Sequence, residues 1–167
     1  GGKLPAVTWV VPDAIDSDHP GDASDTGPSW VASVVNAIGQ GPDWKSTAIV
    51  VVWDDWGGFY DSEPPPQLDF TGLGIRVPCI VISPYAKKHY VDDTQYEFGS
   101  ILKFIEQTFG LPPLGPTALG YTDTRATSIT NAFDFTQAPR SFTPIPAPYP
   151  PSYFLHRPPS HKPPDDY

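Results

Sequence analysis

Residues 47–61 read TAIVVVWDDWGGFYD. The first seven form a continuous apolar run, with no alternation. A strand with one wet face alternates apolar and polar side chains, so an unbroken run predicts a strand buried on both faces, as in a parallel sheet. The run stops at Asp54 and Asp55. Two adjacent carboxylates repel each other, and burying them without a partner costs several kcal/mol. A cation held between them removes that cost. Consecutive strand residues point to opposite faces, so both carboxylates reach one ion only where the strand breaks. Gly57 and Gly58 supply the backbone freedom for such a break and let backbone approach a ligand closely. A solvated acidic turn with a Gly-Gly bend accounts for the same residues, and spacing alone leaves both readings open.

Outward from this stretch, two further strands are predicted: residues 6–11 (AVTWVV, ended by Pro12) and residues 77–82 (VPCIVI). Between the first two strands, Trp30, Val31, Val34, Val35 and Ile38 recur at helical spacing. Pro28 suits the first turn of that helix and Gly39 its C-terminal stop, giving a helix over 28–39. A second helix is predicted over 95–109, with Thr94 as N-cap. Phe98, Ile101, Leu102, Ile105 and Phe109 form its apolar face, and Gly110 and Pro112 end it. A last short helix is expected over 123–133. Strand, helix, strand, connection, strand, helix is the order of an α/β layered domain. In such sheets ligands sit at the carboxyl ends of the strands. The polar segments directly after two strands, 13–25 and 54–61, are therefore where chemistry is expected.

Length and charge narrow the classes. The 167 residues suit one domain, and 19 Asp plus Glu against 10 Lys plus Arg give a formal charge of -9. An acidic chain repels nucleic-acid phosphates and lacks the basic patch that docks on an anionic membrane. No apolar run is long enough to span a bilayer, and no signal-peptide pattern is visible. Cys79 is the single cysteine, which excludes an intrachain disulfide and a cysteine zinc knuckle. Its apolar setting predicts a buried, inert thiol. Met is absent, even at position 1, so the sequence is expected to be processed or to begin inside a larger protein. Ten of the 23 Pro lie in residues 139–167. Two regions are thus expected: a globular 1–138, and a Pro-rich tail over 139–167 that is extended or partly disordered. Phe142, Tyr149, Tyr153 and Phe154 are the residues able to pin that tail to the surface.

In residues 16–25, DSDHPGDASD, His19 stands among four Asp. An EF-hand reading fails, because Pro20 and Gly27 occupy ligand positions. His19 remains a metal ligand, a donor to a developing oxyanion, or a loop histidine without a role. His89 is expected in an exposed loop, while His156 and His161 lie in the tail. Lys87 and Lys88 read as solvated charges, and Arg76 as the partner of a surface acid. Trp53, Trp56, Phe59 and Tyr60 are either core or the rim of a pocket, where aromatic faces favour a choline-type cation. There is no GxSxG, Walker loop or GxGxxG, so a Ser elbow and nucleotide binding are unsupported.

Several stretches, in order, resemble the phosphoesterase family that holds bacterial non-haemolytic phospholipases C and related acid phosphatases. They are LPAVTWVVP, DSDHPGD, WKSTAIVVVWDDWGGFYD, GIRVPCIVISPYAKKHYV, YEFGSILKFIEQTFGLP and FDFTQAPR. The resemblance implies the three-layer α/β/α fold of the alkaline phosphatase superfamily, present here as an incomplete, C-terminal portion over 1–138. It implies metal-dependent hydrolysis of a phospholipid or small-molecule phosphate ester, in a secreted or periplasmic protein. Asp54 and Asp55 match the paired Asp ligands of a divalent metal, and His19 matches a catalytic His. The family's Ser or Thr nucleophile and its Glu-Asn metal ligands belong to an N-terminal half outside this sequence. The chain alone is therefore expected to be inactive, with an unpaired strand edge and an exposed apolar face. Ser62 and Glu63 stand where the family usually has His and Val, and Asp93 where His is frequent. Ser62 puts leaving-group chemistry in doubt. It keeps an alternative open: a non-catalytic module that binds a metal, an anion or a partner.

Overall fold

The structure, a computed structural model, describes residues 4–21, 25–159 and 161. Its main elements are helix α1 (Gly27–Gly39), strands β1 (Ile49–Val52) and β2 (Cys79–Ile82), helix α2 (Phe98–Phe109) and helix α3 (Pro151–His156). Short 3-10 turns cover Ala14–Asp16, Trp44–Ser46, Thr117–Leu119 and Ile129–Ala132. The architecture is mixed α/β, with β1 and β2 paired in one small sheet. The chain divides into two compact units, Gly1–Ile49 with Arg140–Tyr167, and Val50–Pro139.

The first unit is built around α1. Pro28 sits in its first turn, where a missing N–H costs nothing, and the Gln40 N–H closes its last turn on the Asn36 carbonyl. The buried face is Gly27, Ser29, Ala32, Val35 and Gly39, while the larger Trp30, Val31, Val34 and Ile38 are half-buried. Small residues face inward because neighbours come close. A Cβ on Gly39 would meet the Phe142 ring at 2.4 Å.

That ring belongs to the Pro-rich segment, which crosses α1 in an ordered path. Trp44 and Phe142 meet edge to face at 5.0 Å, and the Trp44 indole N–H donates to the Arg140 carbonyl. The Asn36 amide bonds Ile145 in both directions, at 2.9 and 2.8 Å. The Tyr149 hydroxyl donates to the Asp25 carboxylate. The segment runs without regular structure to Pro150 and then forms α3, whose first-turn Pro is compatible with a helix start. The expected extended tail thus contains a helix, and Phe142 and Tyr149 are among its anchors.

The second unit packs α2 against the turn Ile129–Ala132. Phe104, Phe133 and Phe135 stack with near-parallel rings at 4.9 and 5.3 Å. Phe133 also bridges Ala86 antiparallel to it, with the Lys87 N–H on the Ala132 carbonyl and the Asp134 N–H on the Tyr85 carbonyl. Arg125 ties three segments together: its guanidinium forks onto Glu97 and bonds Asp69. Asp69 further accepts from the Thr71 N–H, the Thr71 hydroxyl and the Gly72 N–H. These bonds hold its pKa well below the usual carboxylate range.

Five expectations need correction. Residues 6–11 form no strand and are exposed, Trp9 at 66%. A strand requires a neighbour to satisfy its N–H and C=O groups, and none pairs with it among the described residues. β1 is only half-buried, and β2 begins with exposed Cys79 and Ile80. A two-stranded sheet does not bury both faces, so Cys79 is at the surface. Partial desolvation still pushes the thiol pKa up, which favours the protonated form. Helix α2 starts at Phe98, not at 95, with Glu97 as N-cap. The Ser100 hydroxyl accepts from the Glu97 N–H, whereas the Thr94 N–H bonds the Asp92 carboxylate. The helix expected over 123–133 contracts to Ile129–Ala132.

Large apolar side chains are exposed in each unit. In the first they include Trp9, Val10 and Val11. In the second they include Phe59, Phe70, Ile80 and Val91.

Candidate functional site

His19 lies in the first unit, after the turn Ala14–Asp16. Asp13 caps that turn, its carboxylate accepting the Asp16 N–H at 3.3 Å. The Ser17 hydroxyl donates to the Ala14 carbonyl and accepts the His19 N–H. Asp18 adopts a left-handed backbone, φ 61°, a conformation open to Asp because its short polar side chain bonds locally. Its carboxylate packs so close to Gly27 that a Cβ there would fall 2.1 Å from Oδ1. Burial, and then the Asp16 charge, push the Asp18 pKa up.

Nδ1 of His19 lies 2.9 Å from the Pro20 carbonyl. A carbonyl only accepts, so Nδ1 carries the proton, and in the neutral ring the lone pair is on Nε2. The ring is exposed. Asp22 of the DSDHPGD motif lies outside the described residues.

Asp54 and Asp55 lie in the second unit, two and three residues after β1 ends, and both are exposed. The Asp55 carboxylate accepts the Gly57 N–H at 2.7 Å, which folds the chain back on itself. Gly57 and Gly58 take φ of 61° and 78°, left-handed values that side chains avoid. The break in the strand read from the sequence is therefore present. Among the described residues the Asp54 carboxylate accepts no hydrogen bond, and no three His, Cys, Asp or Glu side chains form a metal cluster. The two carboxylates fit a divalent cation in donor type, since hard ions take carboxylate oxygens. They supply only part of the six or so ligands such an ion takes.

Around this turn Trp56, Phe59 and Tyr60 are exposed, the last at 90%, so they rim the loop and are not core. The loop end is fixed by Asp61, whose carboxylate takes a two-pronged bond from Arg76 at 2.6 and 2.7 Å. The Arg76 guanidinium holds the Asp61 pKa down at about 2. Arg76 thus pairs with a surface acid, as expected. Ser62 is exposed beside it. The Lys87 ammonium sits over the Tyr90 ring at 4.6 Å, and His89 is exposed with φ 52°.

Sequence reasoning missed Arg157. Its guanidinium bonds Asp13 and the buried Asp16, which also accepts the Thr26 hydroxyl at 2.6 Å. The signal was slight: one Arg among the prolines, 141 residues from its partner.

The profile of the phosphoesterase family matches residues 1–112, a span that holds His19, Asp54 and Asp55. Phospholipase C A of Mycobacterium tuberculosis is 31% identical, over 85% of this chain and 32% of its own length. The non-hemolytic phospholipase C of Pseudomonas aeruginosa is 30% identical, over 80% of this chain and 24% of its own. Non-specific phospholipase C6 of Arabidopsis thaliana is 28% identical, over 88% and 34%. The chain spans about a third or less of the length of these relatives. A profile match across two thirds of its residues, with the paired Asp and the His in it, means that the chain belongs to the phosphoesterase family.

Proposed function

We propose that this chain is the C-terminal portion of a metal-dependent phosphate ester hydrolase of phospholipase C or acid phosphatase type. On this reading residues 1–138 belong to a three-layer, alkaline phosphatase-like α/β/α domain, and 139–167 extend it. The nucleophile and the remaining metal ligands come from protein outside this sequence, and the chain alone is inactive. Secretion or a periplasmic location is part of the same proposal. No helix among the described residues is long and apolar enough to cross a membrane.

The observation that carries the reading is the turn after β1. Two exposed carboxylates, to which no cation among the described residues pairs, precede a left-handed Gly pair within the family match. Asp54 and Asp55 would hold a divalent ion, whose charge offsets that of the phosphoryl oxygens. His19 contributes Nε2. When protonated it donates to the phosphoryl group or the departing oxygen, and Nδ1–H on the Pro20 carbonyl fixes the ring for that transfer. The rim of Trp56, Phe59 and Tyr60 offers apolar and π faces to the ester's organic group.

The test is turnover of a chromogenic phosphodiester and a phosphomonoester by the full-length protein that carries this chain. Asp54→Asn and His19→Ala are expected to lower kcat about 100-fold or more. Wild-type turnover in both variants would overturn the reading. Ser62 favours a second one, a non-catalytic binding module. A full-length protein that binds metal through Asp54 yet turns over neither ester would establish it.

A further inference from the structure

Arg157 lies in the segment read from sequence as a plain tail. Its guanidinium reaches two acids of the His19 loop. Nη1 and Nη2 bond the two oxygens of Asp16, and Nη2 also lies 3.4 and 3.3 Å from those of Asp13. Asp16 is buried, at 2% exposure, and its second partner is the Thr26 hydroxyl just before α1. Asp13 caps the 3-10 turn, Ser17 bonds back to Ala14, and the His19 N–H bonds Ser17. Hydrogen bonds at Asp13, Asp16 and Ser17, joined by the short backbone between them, thus connect Arg157 to the His19 N–H. The Phe154 ring, at 5.9 Å, backs the guanidinium from α3.

A planar fork suits this task. It satisfies two carboxylates at fixed angles, which a single ammonium does not. It also supplies the counter-charge that a buried carboxylate requires.

We infer that Arg157 is a positioning residue: it locks the 13–19 loop so that His19 presents Nε2 in one orientation. The inference rests on the catalytic reading of His19 given above. It adds that the C-terminal segment is part of the working site, although it carries no group that touches substrate.

The test uses the full-length protein with a chromogenic phosphodiester. Arg157→Lys is the informative variant, because it keeps a cation beside Asp16 and so preserves folding. Its kcat is expected to fall about 10-fold, with KM within about 2-fold, since misplacement of a reacting group costs rate more than binding. In a His19→Ala background the same change is expected to add less than about 2-fold, because coupled residues are non-additive.

Wild-type kcat for Arg157→Lys would overturn the inference, as would an equal loss in the His19→Ala background. Wild-type kcat for His19→Ala alone would instead overturn the catalytic reading, and this inference with it. The ¹⁵N spectrum of the imidazole gives a readout independent of turnover. Wild type is expected to show one tautomer, protonated at Nδ1, and Arg157→Lys a mixture. An unchanged tautomer in the variant would again count against the inference.

Discussion

The loop carrying His19 and the turn carrying Asp54 and Asp55 are both acidic, yet they deal with their charge in opposite ways. In the first, Asp16 is buried and its charge is met inside the protein by Arg157 and Thr26. In the second, both carboxylates are exposed, and among the described residues the one hydrogen bond they accept comes from backbone, Gly57 to Asp55. In the first segment Asp13 and Asp16 find their counter-charge in the chain itself. The other holds its charge unmatched, as a segment does when the counter-charge is a ligand. On the proposed reading the contrast separates acids that build a loop from acids offered to a cation, though both are written in the sequence as strings of Asp.

The sharpest way to break this contrast is to remove the internal counter-charge. Arg157→Gln leaves Asp16 buried without its cation and is expected to cost about 3 kcal/mol of stability, the scale for one partner of a buried pair. Chemical denaturation of the full-length protein measures it. An effect near zero would mean that Asp16 finds another partner, and that the two segments differ less than the geometry says.

Next in size is Gly39→Ala. The new methyl would press on the Phe142 ring, which lies 2.4 Å from the Cβ position. Overpacking of this kind costs about 1–3 kcal/mol. The shift in denaturation midpoint reports how firmly the Pro-rich segment is held on α1.

A third pair of acids sharpens the comparison. Glu106 Oε1 and Asp123 Oδ1 are both buried and lack a hydrogen-bond donor among the described residues. Burial, and then the Asp123 carboxylate, push the Glu106 pKa up, with Lys103 opposing. Here the raised pKa favours a proton on Glu106 in place of a cation. A raised folded-state pKa means that the native state binds this proton more tightly than the unfolded chain. The stability it confers is complete below the ordinary Glu pKa and is lost as pH rises through the folded value. Glu106→Gln is expected to flatten that limb of the stability-versus-pH curve. A limb of unchanged steepness would remove Glu106 as its source.

The smallest effect belongs to the exposed pair. Asp54→Asn without metal is expected to change stability by no more than about 0.5 kcal/mol, as for most surface charges. Denaturation in a chelator measures it, and a large loss would mean that Asp54 is structural.

Much of this was legible in sequence because it is local. Helical spacing and Pro28 located α1, the apolar run located β1, and the Gly57–Gly58 pair announced the strand break. What was not legible depends on partners far along the chain. AVTWVV has strand composition, but composition does not supply a neighbouring strand to bond. Cys79 sits in an apolar stretch, yet its burial depends on layers that a two-stranded sheet lacks. Thr94 and Glu97 both suit a helix start. Ser100, which bonds the Glu97 N–H, and Arg125, which forks onto its carboxylate, show why the cap falls on Glu97. The prolines of 139–167 hid a helix and the Arg157 contact, since Pro forbids helix interiors but not helix starts. The candidate site residues were read from motif and resemblance. The tautomer of His19 and the clamp beneath it needed coordinates.

The central claim is that Asp54 and Asp55 are kept unmatched for a divalent cation while the His19 loop is not. Calorimetric titration of the full-length protein with Mn²⁺ tests it most directly, in wild type, in Asp54→Asn/Asp55→Asn and in Asp16→Asn. Wild type and Asp16→Asn are expected to bind alike, and the double variant to lose affinity by about 100-fold, the scale for deleting metal ligands or their supports. Mn²⁺ binding of wild-type strength in the double variant would contradict the account.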